Sequence, residues 1–520
     1  MSFAKPSSVG GLGLEGSSPE KGLEAASSLE QTYLEAGLSP EDAFFLASFP
    51  DERRTKCIRK IDWRLCPVLM LLYLCAYIDR ANIGNAKIEG LLPDLGMSGS
   101  QYNIALAIFF VPYVLFEVPS NILLAKAKKP SVYLAILVLC WGIVMTLTGL
   151  VQNFSSLCAV RFLLGIFEAG FFPGAVWLIT QWYLPHETQT RIALFYTASA
   201  LSGAFSGLLA FGLAKMDGIG GYTGWRWIFI IEGAATVLLA GVCYFCLVDS
   251  PQLSSRWLDP EEIRYLVLRQ EAQRGRLVVD ESANKFDWKT LLKVLTDWHL
   301  YLQVLNFWSN AIPNYGLKFT LPQIITNMGY TSATAQLLSM PPYIAGAISA
   351  YDFGLAADKL RWRMPIIVTG QALVIIAFCI LFSLAENIHE NIPACYFGVV
   401  LACIGLYPII PGTNAWTSNN LAGARKQAMG IAFMISIGNT GGLVGSFIYI
   451  EREAPKYATG FGSSFAFAAA GMVASIILEL RFWYVNRRNA RMGREEIRRK
   501  YTDEELQVMG DRSPLFKYML

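Results

Sequence analysis

The chain has 520 residues, of which 54% are hydrophobic and only 16% charged, against roughly 25% charged in ordinary soluble domains. This is the composition of a membrane protein. A formal net charge of +3 provides no basic field for nucleic acid, so Lys and Arg matter chiefly through the loops that carry them.

The ten cysteines, among them Cys75, Cys140, Cys246 and Cys403, lie in apolar stretches or charged flanks without paired spacing. They read as reduced core residues, with no disulfide framework and no metal site. The three histidines, at 186, 299 and 389, are isolated near helix ends or loops, so no catalytic or metal constellation emerges and an enzyme is not expected. No filter sequence of the kind a channel needs is present.

Residues 1–60 are rich in Ser, Gly and Glu and lack the basic start and apolar core of a signal peptide. They are expected to form a disordered cytosolic tail, with the first membrane helix acting as its own insertion signal. That helix contains LCPVLMLLYLCAYI, Leu65 to Ile78, which is shorter than the roughly 20 apolar residues a bilayer core requires. The run continues as AYIDRANIGNA, Ala76 to Ala86, so a spanning helix places Asp79 and Arg80 below the membrane surface. Ionisable groups at that depth are costly, and they line a water-filled path or pair with each other.

Runs of about 20 mostly apolar residues between charged or Pro/Gly-rich breaks give twelve transmembrane helices. The first six cover residues 64–86, 101–124, 132–151, 156–178, 190–214 and 225–247. The second six cover 297–320, 335–357, 365–385, 393–415, 427–449 and 459–484. The expected fold is therefore an all-α membrane protein with two six-helix bundles, 61–247 and 297–485, joined by a cytosolic linker at 248–296 and followed by a cytosolic tail at 486–520. Within the linker, LDPEEIRYLVLRQEAQRGR offers Asp259 as a cap, Pro260 for the first turn and Glu261 and Glu262 at the positive end of a short surface helix. Lys126, Lys128, Lys129, Lys359, Arg361, Arg363, Arg425, Lys426, Arg487 and Arg488 fall on one side if the spans alternate. The excess of Lys and Arg assigns that side and both termini to the cytosol.

The fourth span reads RFLLGIFEAGFFPGAVW, Arg161 to Trp177, with Arg161, Gly165 and Glu168 on one helical face. A carboxylate near mid-span is expensive unless it is paired or protonated, which is what a proton carrier requires. Asp79 and Glu168 are accordingly the candidate proton-coupling residues. A small carboxylate substrate needs the complementary group, and an Arg fork holds a carboxylate through two hydrogen bonds, so Arg80 and Arg161 are its candidate ligands. The competing reading is that Asp79 with Arg80, and Arg161 with Glu168, merely neutralise each other and fix helix packing.

In the seventh span, LNFWSNAIPNYGLKF carries Asn306, Asn310, Asn314 and Lys318 every four residues around Pro313. Such a stripe is expected to face the cavity or a neighbouring helix. Lys318 either supplies a second positive charge or snorkels to the outer interface. Tyr73, Tyr77 and Tyr315 either touch an apolar or aromatic part of a substrate or simply pack. In the eleventh span, GNTGGLVGS, Gly438 to Ser446, sets Asn439 among glycines that let helices approach closely. Asn310, Asn314 and Asn439 join Tyr77 and Lys318 as candidate substrate contacts.

Six plus six helices with a cytosolic connector resemble the major facilitator transporters. GLAADKLRWRMP, Gly354 to Pro365, resembles their cytosolic gating signature, whereas NILLAKAKKP, Asn121 to Pro130, has Asn121 and Ala125 where that signature has Gly and Asp. The resemblance therefore implies a cytosolic gate at Asp358 with Arg361. Over residues 60–485 the chain is similar to the anion:cation symporter branch, and RKIDWRLCP, FEVPSN and GWRWIFIIEG resemble its fungal members of allantoate and nicotinate permease type. Asp79 with Arg80, and Arg161 with Glu168, match that branch's proton-coupling and anion-binding positions.

The resemblance implies a monomeric secondary transporter without a cofactor, moving a small organic anion with protons by alternating access across the plasma or vacuolar membrane. Export of an anionic metabolite, or drug-type proton antiport, is the alternative. Drug carriers of that kind show a Gly-Pro element in the fifth span, and SGAFSGLLAFG has no Pro.

Overall fold

A computed structural model describes residues 29–34, 37–277, 288–360, 362–422, 424–492, 497, 499–502, 505–506 and 509–520. Among them every regular element is a helix. The main helices are α1 (Pro40–Ser48), α2 (Asp51–Ile88), α3 (Gly99–Lys126), α4 (Pro130–Thr148), α5 (Phe154–Ala169), α6 (Phe171–Trp182), α7 (Pro185–Ala214), α8 (Gly224–Cys246), α9 (Pro260–Leu277), α10 (Trp298–Asn327), α11 (Met340–Leu360), α12 (Met364–Leu384), α13 (Ile392–Asn419), α14 (Ala424–Ile448) and α15 (Ala458–Ala490).

Local chemistry sets many of the helix starts. Ser98 with Gln101 closes a capping box ahead of α3, and Asn153 with Ser156 does the same ahead of α5. Pro occupies the first turn of α4, α12 and α13, where its missing N–H costs nothing. The fourth predicted span is broken at Gly170 into α5 and α6, which leaves Glu168 at the end of α5.

A helix lies at each of the twelve predicted spans, and ten segments of described helix are long and apolar enough to cross a membrane by length and composition. Those in α10 and α11 fall short. In α10 the apolar run is interrupted by Gln303, Asn306, Asn310, Asn314 and Lys318, and α11 carries Asp352 and ends in Asp-Lys-Leu. The expected fold class, an all-α membrane protein, fits this architecture.

The described residues form two compact units, drawn from Met1–Leu65, Thr180–Thr188 and Val248–Lys285 in one, and from Cys66–Ile179, Gln189–Leu247 and Phe286–Leu520 in the other. In the smaller unit α1 packs on the linker helix α9. Arg264 Nη2 reaches Glu41 Oε1 and Asp42 Oδ1, both at 2.8 Å, and Phe49 stacks on Tyr265 with centroids 4.3 Å apart. The expected disordered tail over 1–60 is thus corrected for residues 40–48 and 51–60, which are helical. Ser39 caps α1, Pro40 and an acidic first turn favour it, and Ala43, Leu46 and Phe49 bury an apolar face.

In the larger unit the first six and last six spans meet at one end. Gly84 of α2 lies so close to α10 that a Cβ there would sit 2.8 Å from the Phe319 carbonyl oxygen, so glycine permits the approach. At the same end Ser332 Oγ donates to the Ile88 carbonyl at 3.0 Å and Gln336 Nε2 to Glu89 Oε1 at 3.0 Å. Asn103 Nδ2 donates to the Tyr449 carbonyl at 3.4 Å.

The C-terminal residues belong to this unit too. Tyr518 stacks on Phe482 with centroids 4.5 Å apart, and its backbone pairs with the Asn486 amide at 2.8 and 2.9 Å. Nearby, Lys426 bridges Asp297 and Asp511, and the His299 ring lies 3.0 Å from Asp297. Burial opposes the charge on Asp297, but hydrogen bonds from His299 and Lys426, with the Lys426 charge behind them, outweigh it and hold the carboxyl well below the usual range.

A carboxyl acidified by folding contributes stability that is fully present above its unfolded value of about 4 and is lost as pH falls towards the depressed folded value. Asp297→Asn is expected to cost about 2 kcal/mol at neutral pH, read as a lower thermal midpoint of the detergent-purified protein. The deficit should shrink as the pH is taken below about 4; a deficit independent of pH contradicts the assignment.

Candidate functional site

Arg80 stands on α2 in the larger unit, 5% exposed, and Glu168 at the end of α5 is 1% exposed. The Arg80 Nε donates to Glu168 Oε1 at 2.5 Å. Three rings close around the guanidinium, with centroids 5.0 Å (Tyr77), 5.2 Å (Phe109) and 4.7 Å (Tyr113) away. Their faces supply the diffuse negative potential a desolvated cation prefers. Tyr315 of α10 completes the surround, its hydroxyl 3.5 Å from Arg80 Nη1.

Tyr77, Arg80, Tyr113 and Tyr315 border an open cavity that is lined also by Asn314, Lys318 and Asn439. Lys318 is 5% exposed, and its ammonium lies 4.3 Å from the Tyr77 ring centroid. Among the described residues it has no carboxylate oxygen within 4.0 Å. Lys318 thus lines the cavity as a buried side chain. Two basic residues, Arg80 and Lys318, face the cavity, and Glu168 is bonded to Arg80.

The remaining predicted residues are distributed differently. Asp79 turns away from Arg80, its Oδ2 accepting from Trp141 Nε1 at 2.6 Å and from Thr236 Oγ1 at 3.4 Å. Arg161 is buried but does not line the cavity, and its Nε and Nη2 have no hydrogen-bond partner. The pairing Glu168 makes is with Arg80 rather than with Arg161 two turns away on its own helix. Asn310 does not border the cavity; its amide donates to the Leu406 carbonyl of α13. Of the gate residues, Arg361 lies outside the described residues, as does the side chain of Asp358.

The asparagine stripe of α10 therefore divides. Asn306 bonds with Gln371 and Ser475 of α12 and α15, whereas Asn314 and Lys318 reach the cavity. At 3.6 residues per turn, positions four apart drift about 40° per step, so the stripe winds by about 120° between 306 and 318.

The sequence reasoning passed over Phe109, Tyr113, Glu117 and Glu232. Glu117 on α3 is 9% exposed and faces Asn439 of α14. Both acids interrupt apolar helices, the same signal that singled out Glu168. The aromatic residues carry no such signal, since rings are common throughout these helices.

Removing the Glu168 carboxylate leaves a buried guanidinium without its ion pair, so Glu168→Ala is expected to destabilise the purified protein by about 3–5 kcal/mol. Glu168→Gln, which keeps an acceptor for Arg80, should cost clearly less. Thermal midpoints measured in one detergent check the order.

The family model described as "Major Facilitator Superfamily" matches residues 69–446. The MFS-type transporter cnsO of Penicillium expansum is 38% identical over 483 residues, covering 91% of this chain and 92% of that one. The high-affinity nicotinic acid transporter of Saccharomyces cerevisiae is 28% identical over 487 residues, 93% of this chain and 88% of that one. Among solved structures, an inward-facing bacterial homolog of the human lysosomal transporter Spinster aligns with a TM-score of 0.60 at 17% identity, over 79% of this chain and 94% of that one. With the family matched across most of its length and its helices folded in the same way, this chain belongs to the major facilitator superfamily and is a multi-pass secondary transporter of the membrane.

Proposed function

We propose that the chain is a proton-coupled symporter of a small organic anion bearing a carboxylate, of the anion:cation symporter branch. The observation that carries this reading is the Arg80–Glu168 pair beside a cavity that Arg80 and Lys318 line, with Glu117 the other buried acid near Arg80. An anionic substrate can take the place of Glu168 on Arg80. The aromatic border of Tyr77, Tyr113 and Tyr315 suits a planar body, and the yeast relative named for nicotinic acid supports a planar aromatic acid as the first compound to test.

The coupling follows from competition for one guanidinium. While Glu168 is ionised it holds Arg80 at 2.5 Å, and a substrate carboxylate can take that place only if Glu168 gives it up. Protonating Glu168 removes its charge and weakens the bond, so proton and anion favour each other's binding. Because the proton and a monoanion cancel, loading both adds no net charge to the site, so closing it against water carries no extra unpaired charge.

The two six-helix bundles, 61–247 and 297–485, then rock about the site. Closure at the end marked by Gly84, Ser332 and Gln336 supports a cytosol-facing state if both termini are cytosolic. Asp358 with Arg361 forms the cytosolic gate in this reading. Asp79, Arg161, Asn310 and Asn439 support the site from around it, the protein works as a monomer, and the plasma membrane is its location.

Uptake of a panel of labelled organic acids, nicotinate included, into proteoliposomes with an imposed pH gradient tests the proposal. Uphill accumulation of at least one acid, abolished by a protonophore, is expected; neutral compounds alone being transported contradicts it. Glu168→Gln should abolish gradient-driven accumulation and leave anion exchange measurable, and unchanged uphill uptake would sink its role.

Lys318→Met should raise the half-saturating concentration about tenfold, the equivalent of about 1.4 kcal/mol, and an unaltered value argues against anion contact at Lys318.

A further inference from the structure

Outside the cavity, a second pair of carboxylates is buried in the first six spans. Glu232 on α8 is 7% exposed and Asp79 on α2 is 1% exposed, and the Asp79 charge reaches Glu232. Among the described residues neither has a Lys, Arg or His nitrogen within 4.0 Å. Their hydrogen-bond donors are neutral. Trp141 and Thr236 donate to Asp79 Oδ2, and the Asn82 amide donates to Glu232 Oε2.

Asn82 is itself fixed from behind. Its Oδ1 accepts from Ser206 Oγ of α7 at 3.0 Å, and Ser206 accepts from Asn85 Nδ2 at 2.8 Å. This chain of donors holds one face of the Glu232 carboxylate and leaves the other alone, for Oε1 is buried with no hydrogen-bond partner. The other titratable groups within reach are Arg161 and Glu168, which act on Asp79, and Cys75, one turn before Asp79, which feels both acids. Arg161 is the one cation among them, and it makes no ion pair with either carboxylate.

Two ionised carboxylates at such a place repel each other and forgo hydration, with no cation in contact to repay the cost. A single proton on the pair relieves both penalties. Of the two Glu232 oxygens, Oε2 accepts from Asn82, so the buried, unpartnered Oε1 is the one free to carry a proton.

We propose that Glu232 is a proton-holding residue, forming a second proton site separate from the cavity and from Glu168. Its part in transport rests on the symport reading, but the proton itself does not. With the proton on Glu232, Asp79 is free to ionise within reach of the Arg161 charge.

The test needs no substrate. Infrared difference spectra of the full-length, detergent-purified protein, between about pH 5 and about pH 9, report the C=O stretch of protonated carboxyl groups. A titrating band is expected that is lost in Glu232→Gln and kept in Glu168→Gln. Ser206→Ala, which retains the acid but frees Asn82, should shift the midpoint of that band. Glu232→Gln is close to isosteric, and monodisperse elution with an intact helical signal shows that it has folded.

A wild-type spectrum from which Glu232→Gln removes no titrating band overturns the proposal. That outcome leaves the symport reading in place if Glu168→Gln still uncouples uptake. Conversely, uphill uptake insensitive to Glu168→Gln defeats the symport reading without touching the infrared result.

Discussion

Arg80 is a permanently charged guanidinium held where it is only 5% exposed, and the neighbouring residues are arranged around that charge. The effective cost of taking an ion out of water into a protein interior is several kcal/mol even after relaxation, and an isolated one would be ruinous to the fold. Glu168 meets the charge directly, the faces of Tyr77, Phe109 and Tyr113 meet it diffusely, and the Tyr315 hydroxyl approaches from the second half of the chain. None of these is a stronger partner than a free carboxylate of good geometry. A site stabilised by an internal carboxylate is therefore already shaped for an external one.

The polar groups of the larger unit divide by how completely they are satisfied. Asn306, Ser309, Gln371 and Ser475 bond among themselves between α10, α12 and α15, and such a closed network fixes helix packing. Tyr518, Asn486 and Trp416 do the same for the C-terminal residues. Arg161, Glu168 and Glu232 instead keep buried atoms without partners, as do Glu117, Gln303, Asn310 and Glu479 among others. Natural proteins rarely leave such atoms unpaired without a reason, and for the first three the coupling chemistry proposed for this transporter supplies one.

The helices were legible because a bilayer imposes one length and one polarity on every span, and the sequence repeats that pattern between charged breaks. Helix α1 was not, because its apolar residues, Ala43, Leu46 and Phe49, are too few to stand out from a polar tail until α9 supplies the surface they bury against. Arg80 and Glu168 could be found as ions inside apolar runs. Their pairing could not, since spacing along one helix favours Glu168 with Arg161, and only the packing of α2 against α5 brings Arg80 within 2.5 Å. The same limit explains Asn310: a four-residue repeat looks like one face, yet the helix turns it away towards α13.

The competition of Glu168 and an anion for Arg80 is most directly measured as the pH dependence of equilibrium binding, with a labelled acid that the transporter accumulates and detergent-purified protein. Affinity should strengthen as pH falls in the wild type and become nearly independent of pH in Glu168→Gln. Equal affinity across the range in the wild type, or an unaltered pH dependence in the variant, would contradict a shared guanidinium as the basis of coupling.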